Sequence, residues 1–270
     1  MNNYVNALQK GILSKEYFCN SDVTNRFTEW LIPFTEGKRK ISEIGFEYEF
    51  NDFSGAIKSY DWNGIKFEQT VNQFKKWRTE LQSSNQTELE NTCEMILKWG
   101  GGGKLVSRTM EKLKQEDVRD LLDRMNNIFD QDKIKIGELN PYYISSGFTK
   151  IYAASNEKFI MYDGRVGAAL CYFIRNYLEE NKIDSLPDEL IFGFGLGMGK
   201  QNRNPNKKGV KPNLFKEISS NRTNHFVSNI KANWLLETMS SQVSLEVISD
   251  NKVFALQTAL FMIGKKLPES

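Results

Sequence analysis

Apolar residues recur along most of this chain at the three-and-four spacing of one helix face, and only briefly at the alternating spacing of a strand. Tyr4, Val5, Leu8 and Ile12 predict an amphipathic helix over residues 3–18. A second, short helix is expected from Asp22, with Val23, Phe27, Trp30 and Leu31 inward. It should end before Pro33, because the residue ahead of a proline is pushed out of the α region. Phe67, Val71, Phe74 and Leu81 share one helical face, and Leu89, Cys93, Ile96 and Leu97 share the next. The run from Gly100 to Gly103 stops that helix. Leu105–Leu113 and Val118–Phe129 read as two more helices, the second burying Leu121, Leu122, Met125 and Phe129. Further helices are expected from about Asn224 to Met239 and from Val253 to Lys265.

The period changes to two in one place. Phe46, Tyr48 and Phe50 alternate with Glu47 and Glu49, which is strand-like. Ala56–Tyr60 and Ile65–Phe67 continue the pattern, joined by Asp61-Trp62-Asn63-Gly64, whose Asn-Gly is a strong hairpin turn. The expected fold is therefore mainly α, with a small antiparallel β hairpin or sheet near the N-terminus, at about residues 45–67. Residues 1–85 form an N-terminal helical region carrying that insertion, and residues 86–270 a second helical region; the two can make one compact unit. No internal repeat or long linker interrupts them.

One stretch organises the rest. Ser145-Ser146-Gly147-Phe148-Thr149-Lys150 opens a helix, and after a polar break a second helix begins beyond Asp163. That second helix carries Val166, Leu170, Phe173, Ile174 and Tyr177 at a 3.6-residue period, with Asp163 at its N-cap. A lysine on one helix and a carboxylate at the start of the next can meet across one cleft.

Composition narrows the partners. The net charge of +2 over 270 residues is not that of a strongly basic nucleic-acid binder. Between residues 200 and 231, however, Lys200, Arg203, Lys207, Lys208, Lys211, Lys216, Arg222 and Lys231 face the single acid Glu217. Such a local basic stripe can serve DNA when the whole chain does not. Cys19, Cys93 and Cys171 are far apart and set among apolar residues, which suits buried thiols in a reducing cytoplasm. One histidine and no paired cysteines give no metal site, and no cofactor is called for. No apolar run approaches membrane-span length and the N-terminus is polar, so a cytoplasmic location is expected, with no membrane partner.

Gly147-Phe148-Thr149-Lys150 followed by Asp163-Gly164-Arg165-Val166 resembles the helix-hairpin-helix DNA glycosylases, in particular the 8-oxoguanine DNA glycosylase branch. The resemblance covers roughly residues 90–180, with the hairpin at 142–163, and its turn here reads Ser-Ser-Gly in place of Gly-x-Gly. It implies a helical glycosylase-like fold, a monomeric enzyme and a DNA partner, double-stranded or single-stranded. Lys150 takes the place of the Schiff-base lysine and Asp163 that of the essential aspartate, while Arg165 falls where the family contacts phosphate. The implied activity is excision of a damaged or modified base, with AP-lyase chemistry alongside, in base-excision repair or in defence against phage DNA.

The chemistry agrees with those residue types. Breaking an N-glycosidic bond requires the base to leave the stack. The sugar cation left behind is stabilised by a carboxylate. A lysine with a pKa lowered by burial can attack the sugar carbon. Taken singly, Asp163 is an ordinary N-cap and Lys150 an ordinary surface lysine; together they make a site. Gly147 and Thr149 at the turn, Arg165, Arg203, Lys207 and Lys208 in the basic loop, and Arg222 and His225 beside the later helix are the candidate DNA contacts. Trp99 and Trp234 are the candidates for stacking an extruded base, although core packing is the commoner role of a tryptophan. Gly193–Lys200 does not fit a P-loop, since Gln201 follows Lys200 in place of Ser or Thr; it reads as tight packing or a pocket wall. Two other readings fit the same residues: a non-catalytic DNA-binding module of this fold, and a helical protein-interaction domain.

Overall fold

Most helices of this chain begin at a residue whose side chain accepts a bond from the exposed N–H groups of the first turn. Asn2 caps α1 (Asn3–Gln9), Ser14 caps α2 (Lys15–Cys19), Ser21 caps α3 (Asp22–Thr35) and Asp52 caps α4 (Phe53–Lys58). Then α5 (Phe67–Glu80) follows a short hairpin, and Asn85 caps α6 (Gln86–Gly100). After the glycine run comes α7 (Lys104–Leu113), and Asp117 caps α8 (Val118–Phe129). Ser145 caps α9 (Ser146–Ser155), Asp163 caps α10 (Gly164–Glu180), Asn221 caps α11 (Arg222–Gln242) and Asn251 caps α12 (Lys252–Ile263). This computed structural model describes residues 2–101, 103–197, 201–206, 213–218, 221–245 and 251–269. The chain is mainly helical, with 62% of it in helix.

Among the described residues three two-stranded ribbons punctuate the helices. Ribbon β1 (Ile12–Ser14) pairs antiparallel with β4 (Lys133–Lys135), Leu13 opposite Ile134. Ribbon β2 (Asp61–Trp62) pairs antiparallel with β3 (Ile65–Lys66). Ribbon β5 (Gly193–Phe194) pairs parallel with β6 (Lys216–Glu217).

The N-terminal third differs from its pattern in three places. Gly11, at a φ of +72°, ends the first helix and turns the chain into β1, so the helix expected over 3–18 is two short ones around a strand. Helix α3 runs through Pro33 to Thr35, because Phe34 is buried against Trp30 and Phe173, at ring separations of 5.0 and 5.5 Å, and holds the last turn closed. The β element expected over 45–67 shrinks to β2 and β3 alone. Residues 56–58 belong to α4. Phe46 and Phe50 are buried and Tyr48 stacks between them (5.9 and 4.7 Å), yet this extended segment has no strand beside it. Burial alternates as it would in a strand, but aromatic packing alone produces it. The Asn-Gly turn is as expected: Asn63 and Gly64 both take positive φ, 55° and 82°, the type I′ requirement.

The core is built round α10, buried from Val166 to Leu178 except at Asn176, with α12, α11 and β5 packed on it. Helix α4 packs on α12 and α5 on α9, so residues 1–85 and 86–270 share one hydrophobic core. This places the end of α6, the start of α10 and the middle of α12 around a single point.

Candidate functional site

Lys150 lies in the second turn of α9. Its side chain is buried, and its Nζ donates to the carbonyl of Ser146 at 2.8 Å, one turn back. A lysine aliphatic chain can follow an interior surface this closely only where the facing backbone is bare. Gly100 supplies that: a Cβ there would overlap Cδ and Cε of Lys150. Burial lowers the proton affinity of the amine, Asp163 raises it and Arg165 lowers it again, with a net shift below the ordinary lysine value.

Asp163 ends the segment between α9 and α10, which is held by buried amides. Asn233 Oδ1 accepts from the N–H of Ile160 at 2.8 Å, and Gln257 Oε1 from that of Met161 at 3.1 Å. The His225 ring stands 3.0 Å from the Tyr162 carbonyl, and the Tyr162 hydroxyl donates to the Gly193 carbonyl at 2.6 Å. The Oδ1 of Asp163 accepts the N–H groups of Arg165 and Val166, at 2.9 and 3.1 Å. One carboxylate oxygen thus serves as the cap, and Asp163 also lines the pocket that Lys150 lines.

The walls of that pocket are aromatic. Trp99, at the end of α6, shares it with Trp62 of the hairpin and Phe261 of α12. The Trp62 indole donates to the Trp99 carbonyl at 2.7 Å and meets the Phe261 ring edge-on at 5.5 Å. The Arg165 guanidinium lies 4.4 Å from the Phe261 ring centre and 5.4 Å from that of Trp62. The Trp99 Nε1 is buried with no hydrogen-bond partner among the described residues. The space enclosed is ≈ 30 Å³, room for about one water, so a nucleobase enters only if the walls move. A wider cleft of ≈ 440 Å³ lies nearby, but charged side chains such as Arg78 and Glu157, 3.3 Å apart, line it.

The other candidate residues divide. Lys150, Asp163 and Trp99 line one pocket, with Arg165 over two of its rings. Trp234 does not line it; it packs on Phe18 at 6.0 Å, where α11 meets α2. Thr149 is fully buried and bonds back to the Ser146 carbonyl, and Gly147 is wedged against Leu97, Leu105 and Thr109 of α6 and α7, so neither reaches outward. His225 is buried against the Tyr162 carbonyl, and burial lowers its pKa, so it props up the Asp163 segment from inside. Arg203 is half-buried, donating to Gln201 and to the Lys265 carbonyl. Arg222 is exposed at the start of α11. Lys207 and Lys208, like Lys200 and Lys211, lie outside the described residues. Lys231 does not belong to a surface stripe: it is buried, its amine donating to the carbonyls of Asp188 and Ile191 at 2.9 Å each.

The glycine stretch packs tightly here. A Cβ on Gly195 would stand 2.6 Å from Cα of Gly164, and one on Gly164 would stand 2.9 Å from Cα of Gly195, at the start of α10. Residues 198–200 of that stretch fall outside the described part. The pattern of the sequence marked Gly100 only as a helix stop and Trp62 only as part of a turn, and did not mark Phe261, Asn233 or Gln257 at all. The legible signal was the last pair: amides on otherwise apolar faces of α11 and α12, where an unpartnered amide would be costly.

Among the described residues no helix is long and apolar enough to cross a membrane, and no group of three or more His, Cys, Asp or Glu gathers to hold a metal ion. Comparison with protein-family models, with curated proteins and with solved structures finds no match to the chain.

Proposed function

We propose that the protein is a DNA glycosylase with associated lyase activity, acting on a damaged or modified base turned out of the duplex. The observation that carries this reading is the buried Lys150 amine, of lowered proton affinity, sharing an aromatic pocket with the Asp163 carboxylate. In the reaction, the Nζ lone pair of Lys150 forms a bond to C1′ as the electron pair of the glycosidic bond leaves with the base, which takes up a proton. Asp163 stabilises the positive charge that develops on the sugar. Ring opening then gives the imine from which strand scission follows. Trp62, Trp99 and Phe261 offer faces on which a flat base can stack. Lowered basicity matters because a protonated lysine has no lone pair to give.

The test uses end-labelled duplexes carrying oxidised, deaminated, alkylated or hypermodified bases, with and without alkali after incubation. The expected result is scission by wild type without alkali, and loss of both the alkali-free and the alkali-dependent product in Asp163→Asn and in Lys150→Gln. A non-catalytic DNA-binding module is the second reading, favoured by the near-closed pocket. Intact DNA across the whole panel, with binding retained, would select it.

A further inference from the structure

Helix α7 carries Lys104, Arg108 and Lys112 four residues apart, and all three are exposed. A spacing of four turns each side chain only about 40° from the last, so the three form one stripe about 12 Å long. On other helices several surface cations are matched by acids one turn away. Lys98 pairs with Glu94 at 2.9 Å, Arg119 with Asp123 at 2.7 Å and Arg124 with Asp120 at 3.0 Å. No ion pair forms at Lys104, Arg108 or Lys112 among the described residues, although Glu111 is on the same helix. Like charges at i and i+4 repel and disfavour the helix. Three cations in line, none in an ion pair among the described residues, give α7 a face suited to an anion.

The stripe has a definite place. Leu105 and Thr109 of α7 press on Gly147 in the first turn of α9, the helix that carries Lys150. Lys104, Arg108 and Lys112 border that contact on one side, by helical angle. Lys112 Nζ lies 4.4 Å from the Tyr143 ring, just ahead of α9, and Arg222 approaches the same ring from α11 at 5.8 Å. Tyr143 is therefore flanked by cations from two helices, and the charged strip leads along the start of α9.

We propose that the face of α7 formed by Lys104, Arg108 and Lys112 is a docking surface for the phosphate backbone of double-stranded DNA. The choice of duplex DNA as the polyanion rests on the glycosylase reading; the anion-binding character of the stripe does not. Its three cations can make up to three contacts with neighbouring phosphates of the duplex. The contact is to phosphate alone, so it positions the protein without reading sequence.

The experiment is fluorescence anisotropy of the full chain with an unmodified labelled 20-base-pair duplex across a sodium chloride series. Neutralising Lys104→Gln, Arg108→Gln and Lys112→Gln together is expected to reduce the slope of log K against log salt by about 2–3, at about 0.9 per phosphate contact. A matched triple, Lys10→Gln, Lys133→Gln and Lys135→Gln, should leave the slope unchanged. Glu111→Lys, which needs no loss of contacts, should raise it by about 1. The proposal is overturned if wild type does not bind duplex at low salt, if both triples lower the slope equally, or if duplex RNA is bound in preference. Base excision is assayed on the same samples. Excision with an unchanged slope in the α7 triple removes the stripe and leaves the enzyme. A stripe-dependent slope without excision on any substrate leaves the stripe and removes the enzyme.

Discussion

Gly100 and Lys150 are fitted to each other: the absence of a side chain at Gly100 is the space that Cδ and Cε of Lys150 fill. Both residues line the pocket that Asp163 lines, so the glycine sets where the amine stands. Gly100 is the last residue of α6 and lies outside the left-handed region, so alanine is compatible with the backbone and the clash alone is tested. Gly100→Ala should cost about 1–3 kcal/mol, the usual penalty for overpacking. It should also reduce alkali-free scission more than tenfold while leaving affinity for unmodified duplex unchanged. Urea denaturation and the scission assay check this pair of outcomes. Full activity in Gly100→Ala would mean that Lys150 finds another path to the same point.

The proton affinity of Lys150 makes a second prediction. Desolvation and Arg165 both favour the neutral amine, and Asp163 opposes them. The rate of alkali-free scission should therefore rise with pH, with its inflection below the ordinary lysine pKa of about 10.4. Removing the Arg165 charge takes away one lowering influence, so Arg165→Gln should move the inflection to higher pH. An inflection that stays in place, with only the plateau rate reduced, would limit Arg165 to packing against Trp62 and Phe261.

The sequence made the later helices legible because their stops and starts are local. Asp117, Ser145 and Asp163 each cap the helix whose apolar period begins beside them, and Asn63-Gly64 dictates its own turn. What was hidden depends on distant partners. Strand β1 exists only because Lys133–Lys135 lies beside it, and no local pattern carries that pairing. The pocket was half legible for the same reason. Lys150 and Asp163 are close in sequence, whereas Trp62, Gly100 and Phe261 reach them from three other elements. Lys231 misled because charge in a sequence says nothing about burial; its amine is capped by two carbonyls that become neighbours only on folding.

The segment leading to Asp163 supplies a third prediction. The Met161 N–H is met by Gln257 Oε1 at 3.1 Å, inside the core. Gln257→Leu keeps most of the volume and strands that donor, at a cost of about 1–3 kcal/mol. Because Met161 is two residues from Asp163, the variant should also lose excision while still binding duplex. Thermal unfolding with the scission assay separates the two effects. Unchanged excision in a destabilised Gln257→Leu would show that Asp163 is positioned by its own cap alone.

Lys231 predicts how stability varies with pH. Its amine is enclosed by the Phe192, Tyr4 and Phe18 rings, at 4.7, 5.9 and 5.9 Å, with the carbonyls of Asp188 and Ile191 as acceptors. Desolvation brings its pKa from the usual 10.5 down to about 7, against the opposing pull of Glu189, Asp188 and Cys171. Between those two values the unfolded chain holds a proton that the folded chain has released. Stability from this group is therefore greatest above the unfolded pKa, falls as pH drops from about 10.5, and levels off below about 7. The limiting slope is about 1.4 kcal/mol per pH unit. Lys150, shifted in the same direction, adds to the same trend, so the test is a difference between two proteins. Urea unfolding of wild type and of Lys231→Met at several pH values from 7.5 to 9.5 should give curves that draw together toward high pH and separate as pH falls, the wild type losing stability relative to the variant. Methionine fills the apolar channel without titrating, so the variant should lose this contribution to the slope. Parallel curves would mean that Lys231 stays charged in the fold, its ammonium fully compensated by the two carbonyls and the aromatic faces around it.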